Sequence, residues 1–257
     1  MKSNPINIIL DTDIGTDSDD VGAMMVAHSL HKKGFCSLLA VTSSTSRTDG
    51  AAIIDIINRY YGLRVPTGVV KNKKLCETDE YGIYSKAVSK KYDHDYRDKI
   101  PADAVKVLRR ALAEAEGKTR LITIGSFANI AALIKSGADE ISPLSGRELI
   151  DEKVTDMYSM AGDFSPSPLP EFNVMLSLDD TIFVTENFSK PITFSPLPLG
   201  AQIKTGEKLL AGKDNPMKMA YFVHCGEPRE SWDPITVYAA VMGEELIKAR
   251  ENVKVSV

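Results

Sequence analysis

Short apolar runs alternate with helical patterns along most of the chain, and that rhythm leaves few architectures open. Ile6 to Leu10 reads as a strand, Asp19 to Lys33 as a helix, Ser37 to Val41 as a strand and Asp49 to Tyr61 as a helix. The alternation resumes with a strand at Val65 to Val70 and a helix from Ala102 to Glu116, opened by Pro101. A strand at Arg120 to Ile124, a helix through Ile130 to Lys135, and strands at Val154 to Met160 and Ile192 to Phe194 complete it. Strands separated by helices pair in parallel, so the pattern predicts an α/β fold with a mostly parallel central sheet flanked by helices and a Rossmann-like core. The 257 residues are 43% hydrophobic, enough to bury one large core, so a single domain over residues 1–257 is expected.

A formal net charge of -4 offers no basic surface for nucleic acid or for an anionic membrane, which leaves small molecules as the expected partners. No apolar run approaches the length of a transmembrane helix, and the N-terminal Met-Lys-Ser-Asn-Pro leads into a strand instead of a signal-peptide core. Cys36, Cys76 and Cys225 lack CxxC spacing, which argues against a disulfide framework or a zinc site. The expected home is a reducing cytoplasm; a periplasmic or secreted one requires a signal peptide already removed. Two segments break the rhythm: the polar, tyrosine-rich residues 71–99, with Tyr81, Tyr84, Tyr92 and Tyr96, and the proline-rich residues 162–170. Both read either as loops over a ligand site or as plain solvated connectors.

The first strand runs straight into acid. Asp11, Asp13, Asp17, Asp19 and Asp20 place five carboxylates within ten residues, where a buried strand ends. Crowded carboxylates raise one another's pKa or recruit a metal, and an oxygen-only donor set selects hard ions such as Ca²⁺ or Mg²⁺. Gly15 permits the turn that folds Asp19 and Asp20 back toward Asp11 and Asp13. Helix capping by Asp17, Ser18 and Asp19 accounts for part of the cluster, but not for Asp11 and Asp13. A distant partner is Asp233, in Ser231-Trp232-Asp233-Pro234, which by itself also reads as a helix N-cap.

These residues resemble the inosine-uridine-preferring nucleoside hydrolase family. Its N-terminal signature appears as Asp11-Thr12-Asp13-Ile14-Gly15 followed by Asp19-Asp20-Val21-Gly22-Ala23, two residues longer between Gly15 and Asp19 than the simplest form, a variant of a bacterial branch. Gly125-Ser126-Phe127-Ala128-Asn129-Ile130 is similar to the family's Gly-Pro-Leu-Thr-Asn-Ile turn, Glu171-Phe172-Asn173 to its Glu-Phe-Asn motif, and Trp232-Asp233-Pro234 to its late His-Asp-Pro. The resemblance implies a nucleoside hydrolase-like fold and Ca²⁺-dependent hydrolysis of the N-glycosidic bond of a nucleoside or related riboside, in purine or pyrimidine salvage, by a homo-oligomer (dimer or tetramer). It further implies Ca²⁺ ligation by Asp13, Asp20, Asp233 and the main-chain carbonyl of Ala128, with Asp11 orienting the ligands and Asp13 acting as general base. Asp19 would accept hydrogen bonds from the ribose 2′- and 3′-hydroxyls, and Asn173 and Glu171 would hold the ribose.

Two departures stand out. Trp232 occupies the place of the histidine acid of purine-cleaving members; indole cannot donate a proton to a departing base, although it can stack on one or simply pack at a helix start. His224, Tyr81, Tyr158 and Tyr221 are then the candidate acids. After Val41, Thr42-Ser43-Ser44-Thr45-Ser46-Arg47 replaces the family's Thr-Thr-Val-x-Gly-Asn, so Arg47 either faces an anionic substrate group or is a solvated loop residue. Two other classes compete. A haloacid-dehalogenase-type phosphatase would use Asp11 as nucleophile and Asp13 as acid/base with Mg²⁺. A catalytically impaired Ca²⁺-dependent nucleoside- or sugar-binding protein would keep the ion site alone.

Overall fold

The computed structural model describes residues 5–243; the N-terminal residues read above as the lead into a strand, and those beyond 243, lie outside this range. The alternation becomes one seven-stranded sheet: β1 (Ile6–Thr12), β2 (Cys36–Ser43), β3 (Thr67–Val69), β4 (Ala102–Asp103), β5 (Thr119–Thr123), β6 (Val154–Met160) and β7 (Ile192–Ser195). The strand order is β4-β3-β2-β1-β5-β6-β7, and every neighbouring pair is parallel. From β1 the chain builds outward to β4, then returns to the other side of β1 to lay down β5. Crevices of this kind, beyond the carboxyl ends of strands that lead away in opposite directions, are where open α/β sheets bind ligands.

Helices cover both faces. They are α1 (Asp19–Lys32), α2 (Thr48–Tyr60), α3 (Ile83–Lys91), α4 (Ala104–Glu114), α5 (Ala128–Lys135), α6 (Gly146–Lys153), α7 (Phe172–Leu176), α8 (Leu178–Asn187), α9 (Leu197–Gly200), α10 (Glu207–Ala211), α11 (Pro216–His224) and α12 (Trp232–Met242). A two-stranded antiparallel ribbon, β8 (Lys204–Thr205) with β9 (Arg229–Glu230), leads into α12. Because successive strand residues face opposite ways, Ile8 and Leu10 of β1 enter one core with α1, α2, α11 and α12, while Ile9 enters a second core with α4, α5, α6 and α8. A central strand apolar on both faces is the signature of a covered parallel sheet, and Ile8, Ile9 and Leu10 are essentially sealed from solvent.

Some boundaries differ from the sequence reading. Residues 102–103, assigned there to a helix, form edge strand β4, and Asp103 instead caps α4 by accepting from the Val105 amide at 2.9 Å. Within residues 71–99, read as a loop, lies α3, whose Tyr84 and Val88 are buried against the first core. Residues 163–170 carry neither helix nor strand, and no helix among the described residues is long and apolar enough to cross a membrane.

Candidate active site

At the carboxyl ends of β1 and β5 lies a cavity of about 320 Å³ lined by six carboxylates, Asp13, Asp17, Asp19, Asp20, Glu171 and Asp233. Local structure explains how they meet. Beyond β1, Gly15 adopts φ +115°, a conformation that side-chain-bearing residues avoid, and its amide donates to the Tyr84 hydroxyl at 2.6 Å. That hydroxyl in turn donates to the Asp17 carbonyl at 2.8 Å, which pins the turn from α3. The chain re-enters as α1 with Asp19 and Asp20 in its first turn, where the helix dipole favours negative charge. Asp233 arrives from 214 residues away in the first turn of α12, and its amide donates to Asp19 Oδ2 at 3.1 Å. The close approach of α12 to α1 depends on Gly22, where a Cβ would lie 2.4 Å from the Tyr221 hydroxyl and 3.1 Å from Pro234.

The ligand oxygens of Asp19, Asp20 and Asp233 lie within 4.8 Å of one another, all three side chains buried. Asp20 Oδ1 accepts from the Thr12 hydroxyl, whereas its Oδ2 is buried without a hydrogen-bond partner. Asp13 Oδ2 accepts from Thr16 at 3.1 Å. Behind them, Asp11 accepts from Thr42 at 2.5 Å and from Asn129 at 2.8 Å, and its second oxygen is also unpartnered. Burial pushes the carboxyls of Asp11 and Asp13 up to about 7. Burial, then repulsion among the acids, raises Asp19, Asp20 and Asp233 well above the usual carboxylate range. Buried acids that resist ionising, oxygen-only donors and an orphaned carboxylate oxygen fit a hard divalent cation.

The ligand set expected from sequence and the tightest group in the fold overlap without coinciding. Asp20 and Asp233 belong to both; Asp19, expected to hold the diol, is the third member of the cluster, while Asp13 lines the same cavity. Ala128 opens α5, buried and outside the cavity lining. Asp11 is likewise sealed behind the site, out of a substrate's reach, which leaves the phosphatase reading without its nucleophile. The N-cap of α12 is Ser231, not Asp233.

Glu171 and Asn173 line the cavity as expected. Glu171 caps α7, accepting from the amides of Asn173 at 2.8 Å, Val174 at 3.0 Å and Gly162 at 3.1 Å. Asn173 Nδ2 donates to the carbonyls of Ile124 at 3.3 Å and Met160 at 3.0 Å, which orients the amide at the cavity floor. Trp232 forms part of the wall and donates from Nε1 to the Leu197 carbonyl at 2.8 Å. Of the four candidate acids, Tyr81 alone lines the cavity. Tyr158 is buried on β6 beneath Arg120, 4.6 Å from its ring centre, and Tyr221 is buried between α1 and the ribbon. His224 is held at Ser18 and Asp17, and burial lowers its pKa.

Arg47 is neither solvated nor turned toward a ligand. It is buried, paired with Asp49 at 2.7 Å, and donates to the carbonyls of Cys76, Glu77 and Thr78, which fastens the segment carrying Tyr81. Sequence reading missed Arg229. It lines the cavity, pairs with Asp17 through Nε at 3.0 Å, and lies 5.0 Å from the Trp232 ring centre. Asp17 also accepts from the Asp19 amide at 3.3 Å, so the capping role expected of it at the start of α1 is combined with a place in the cavity wall. Only its position three residues before Trp232 marked Arg229 in sequence.

Comparison with known proteins completes the picture. No curated protein matches the chain. Among solved structures, the type III effector protein XopQ complexed with adenosine diphosphate ribose superposes with a TM-score of 0.69 at 16% identity, over 92% of this chain and 81% of that one. An inosine-uridine preferring nucleoside hydrolase from Bacillus anthracis gives 0.66 at 15% identity, covering 91% and 81%. The plant nucleoside hydrolase PpNRh1 gives 0.65 at 20% identity, covering 92% and 79%. At such identities these likenesses show the fold. The family itself is shown by the profile of the inosine-uridine preferring nucleoside hydrolases, which matches residues 8–257. The chain therefore belongs to that family of enzymes, which hydrolyse N-glycosidic bonds.

Proposed function

We propose that the protein hydrolyses a nucleoside or related riboside in a Ca²⁺-dependent reaction, releasing base and ribose. The observation that carries this reading is the buried Asp19–Asp20–Asp233 cluster, its oxygens within 4.8 Å, opening onto a cavity that also presents Asp13. Asp20 and Asp233 would hold the ion, with Asp13 and the Ala128 carbonyl completing the set and Asp11 steadying it from behind. Bound there, Ca²⁺ would neutralise the crowded acids and make a nearby water more acidic.

The chain's own residues supply the rest. Asp13 takes the proton of the water that attacks the anomeric carbon, and Asp19 accepts from the ribose diol. Asn173 holds the sugar. Glu171 spends three of roughly four lone-pair positions on backbone amides, which leaves one for the 5′-hydroxyl. As the C–N bond lengthens, positive charge builds on the ring oxygen and anomeric carbon, and the surrounding carboxylates favour that state over the neutral substrate. Trp232 offers a flat face to the base. Family membership extends the proposal to a homo-oligomer acting in nucleoside salvage.

p-Nitrophenyl riboside is the deciding substrate, because its leaving group needs no protonation. Turnover with Ca²⁺ and its loss with chelator support the hydrolase. Bound Ca²⁺ without turnover would leave the second reading, a riboside-binding protein, which Trp232 in the place of an acid favours and to which the ADP-ribose held by XopQ lends a parallel.

A further inference from the structure

The wall of the cavity that carries Trp232 is built differently from the rest. Arg229 is its single cation, the side chain 29% exposed, placed where five of the cavity's six carboxylates come from other segments. Its planar group is fixed from two sides. Asp17 takes Nε and Nη2, Glu230 takes Nη1 at 2.9 Å, and the Trp232 ring lies 5.0 Å beneath. A guanidinium carries five N–H bonds, one on Nε and two on each terminal nitrogen. Three are committed, so Nη1 and Nη2 each keep one. Two donors on one rigid plane suit a pair of in-plane acceptors, and the carboxylate partners cancel the charge that would otherwise oppose an oxocarbenium ion nearby.

We propose that Arg229, held by Asp17 and laid on Trp232, is the specificity-determining residue for the leaving group, reading a base edge that presents two adjacent acceptors. This rests on the hydrolase reading above. The chemistry that suits the fork is a carbonyl oxygen beside a ring nitrogen, as on the major-groove edge of a 6-oxopurine, where arginine makes its bidentate contact; a 6-aminopurine sets a donor against one of the arms. The same contact bears on the chemical step. When the C1′–N bond breaks, its electron pair goes to the departing nitrogen, and charge spreads to the carbonyl oxygen. Water supplies the hydroxyl to C1′, its proton passes to Asp13, and the base takes a proton from solvent afterwards. Arg229 donates to the growing charge without transferring a proton, which offsets the loss of an acid at position 232.

The test compares kcat/KM for inosine and adenosine in the Ca²⁺-loaded protein and in Arg229→Lys and Arg229→Met, alongside calorimetric binding of free hypoxanthine and adenine to the same three proteins. Wild type should prefer the oxo base about 10- to 100-fold, the discrimination expected of one bidentate pair, and both variants should lose most of that ratio in turnover and in binding. Arg229→Lys keeps the charge beside Asp17 but has no fork, so it separates base reading from simple pairing and guards against a misfolded Arg229→Met. An unchanged ratio in folded variants, or a wild type indifferent to the two bases, overturns the inference. Wild-type turnover of p-nitrophenyl riboside reports on the hydrolase reading alone, so the two failures are distinguishable.

Discussion

Binding of Ca²⁺ should expel protons. In the metal-free protein burial holds the carboxyls of Asp11 and Asp13 up to about 7, and Asp19, Asp20 and Asp233 lie well above their ordinary range. A carboxyl titrating at about 7 is half protonated at pH 7, so Asp11 and Asp13 together carry about one proton before the other three are counted. Hard-cation ligands must be ionised, so at pH 7 Asp13 alone gives up about half a proton per ion, Asp20 and Asp233 give up more, and apparent affinity should rise at least about fivefold between pH 6 and 7. The sign for stability follows from the same groups. Their folded-state pKa values are raised, so the metal-free fold binds more protons than the unfolded chain and loses stability as pH climbs from about 4, where unfolded carboxylates ionise, through 7. Asp13 alone, moved from 3.8 to about 7, corresponds to a loss on the order of 4 kcal/mol at pH 8. Calorimetric titration at pH 6, 7 and 8, in buffers of different ionisation enthalpy, counts the protons; thermal melts with and without Ca²⁺ follow the stability. Identical heats in all buffers together with a pH-independent affinity would refute the reasoning.

Two further outcomes are expected. Asp13→Asn should abolish riboside hydrolysis while weakening Ca²⁺ binding less than Asp20→Ala does, measured by initial rates and calorimetry; wild-type rates in Asp13→Asn would remove it as the base. Arg47→Met leaves the half-buried Asp49 carboxylate with the Ser85 hydroxyl as its remaining partner and releases three carbonyls, so denaturant melts should show a loss of about 1–3 kcal/mol, and the loosened Tyr81 segment should raise KM more than it lowers kcat.

What was legible in sequence is what local pattern encodes. The apolar Ile8, Ile9 and Leu10 announce a strand covered on both faces, and Asp11 and Asp13 announce that its carboxyl end carries chemistry. Gly15 marks the turn, since few other residues accept its φ. Asp233 stood out as an isolated acid before Pro234 and the family motifs added Glu171 and Asn173, all of which reach the cavity. Short, polar α3 was not legible, because its buried stripe is only Tyr84, Ser85 and Val88 and becomes apolar surface only once the first core is there to receive it. Edge strand β4 escaped too: two residues have no periodicity, and pairing with Gly68 and Val69 alone makes them a strand.

The sequence by itself determined the sheet apart from its edge strand β4, the place of the acids along the chain and the kind of ion they suit. Only the tertiary structure decided which acids share a centre and which side chains face the cavity. Asp19 and Asp233 stand 214 residues apart and Arg229 and Asp17 212 apart, so no local spacing relates them. Their meeting is set by α12 lying close on α1 across Gly22 and by the ribbon that delivers β9 to the cavity wall. The physical reason is that charge pairing, desolvation and the reach of a ligand depend on separation in space, and that separation is fixed by packing of the two helices against the sheet.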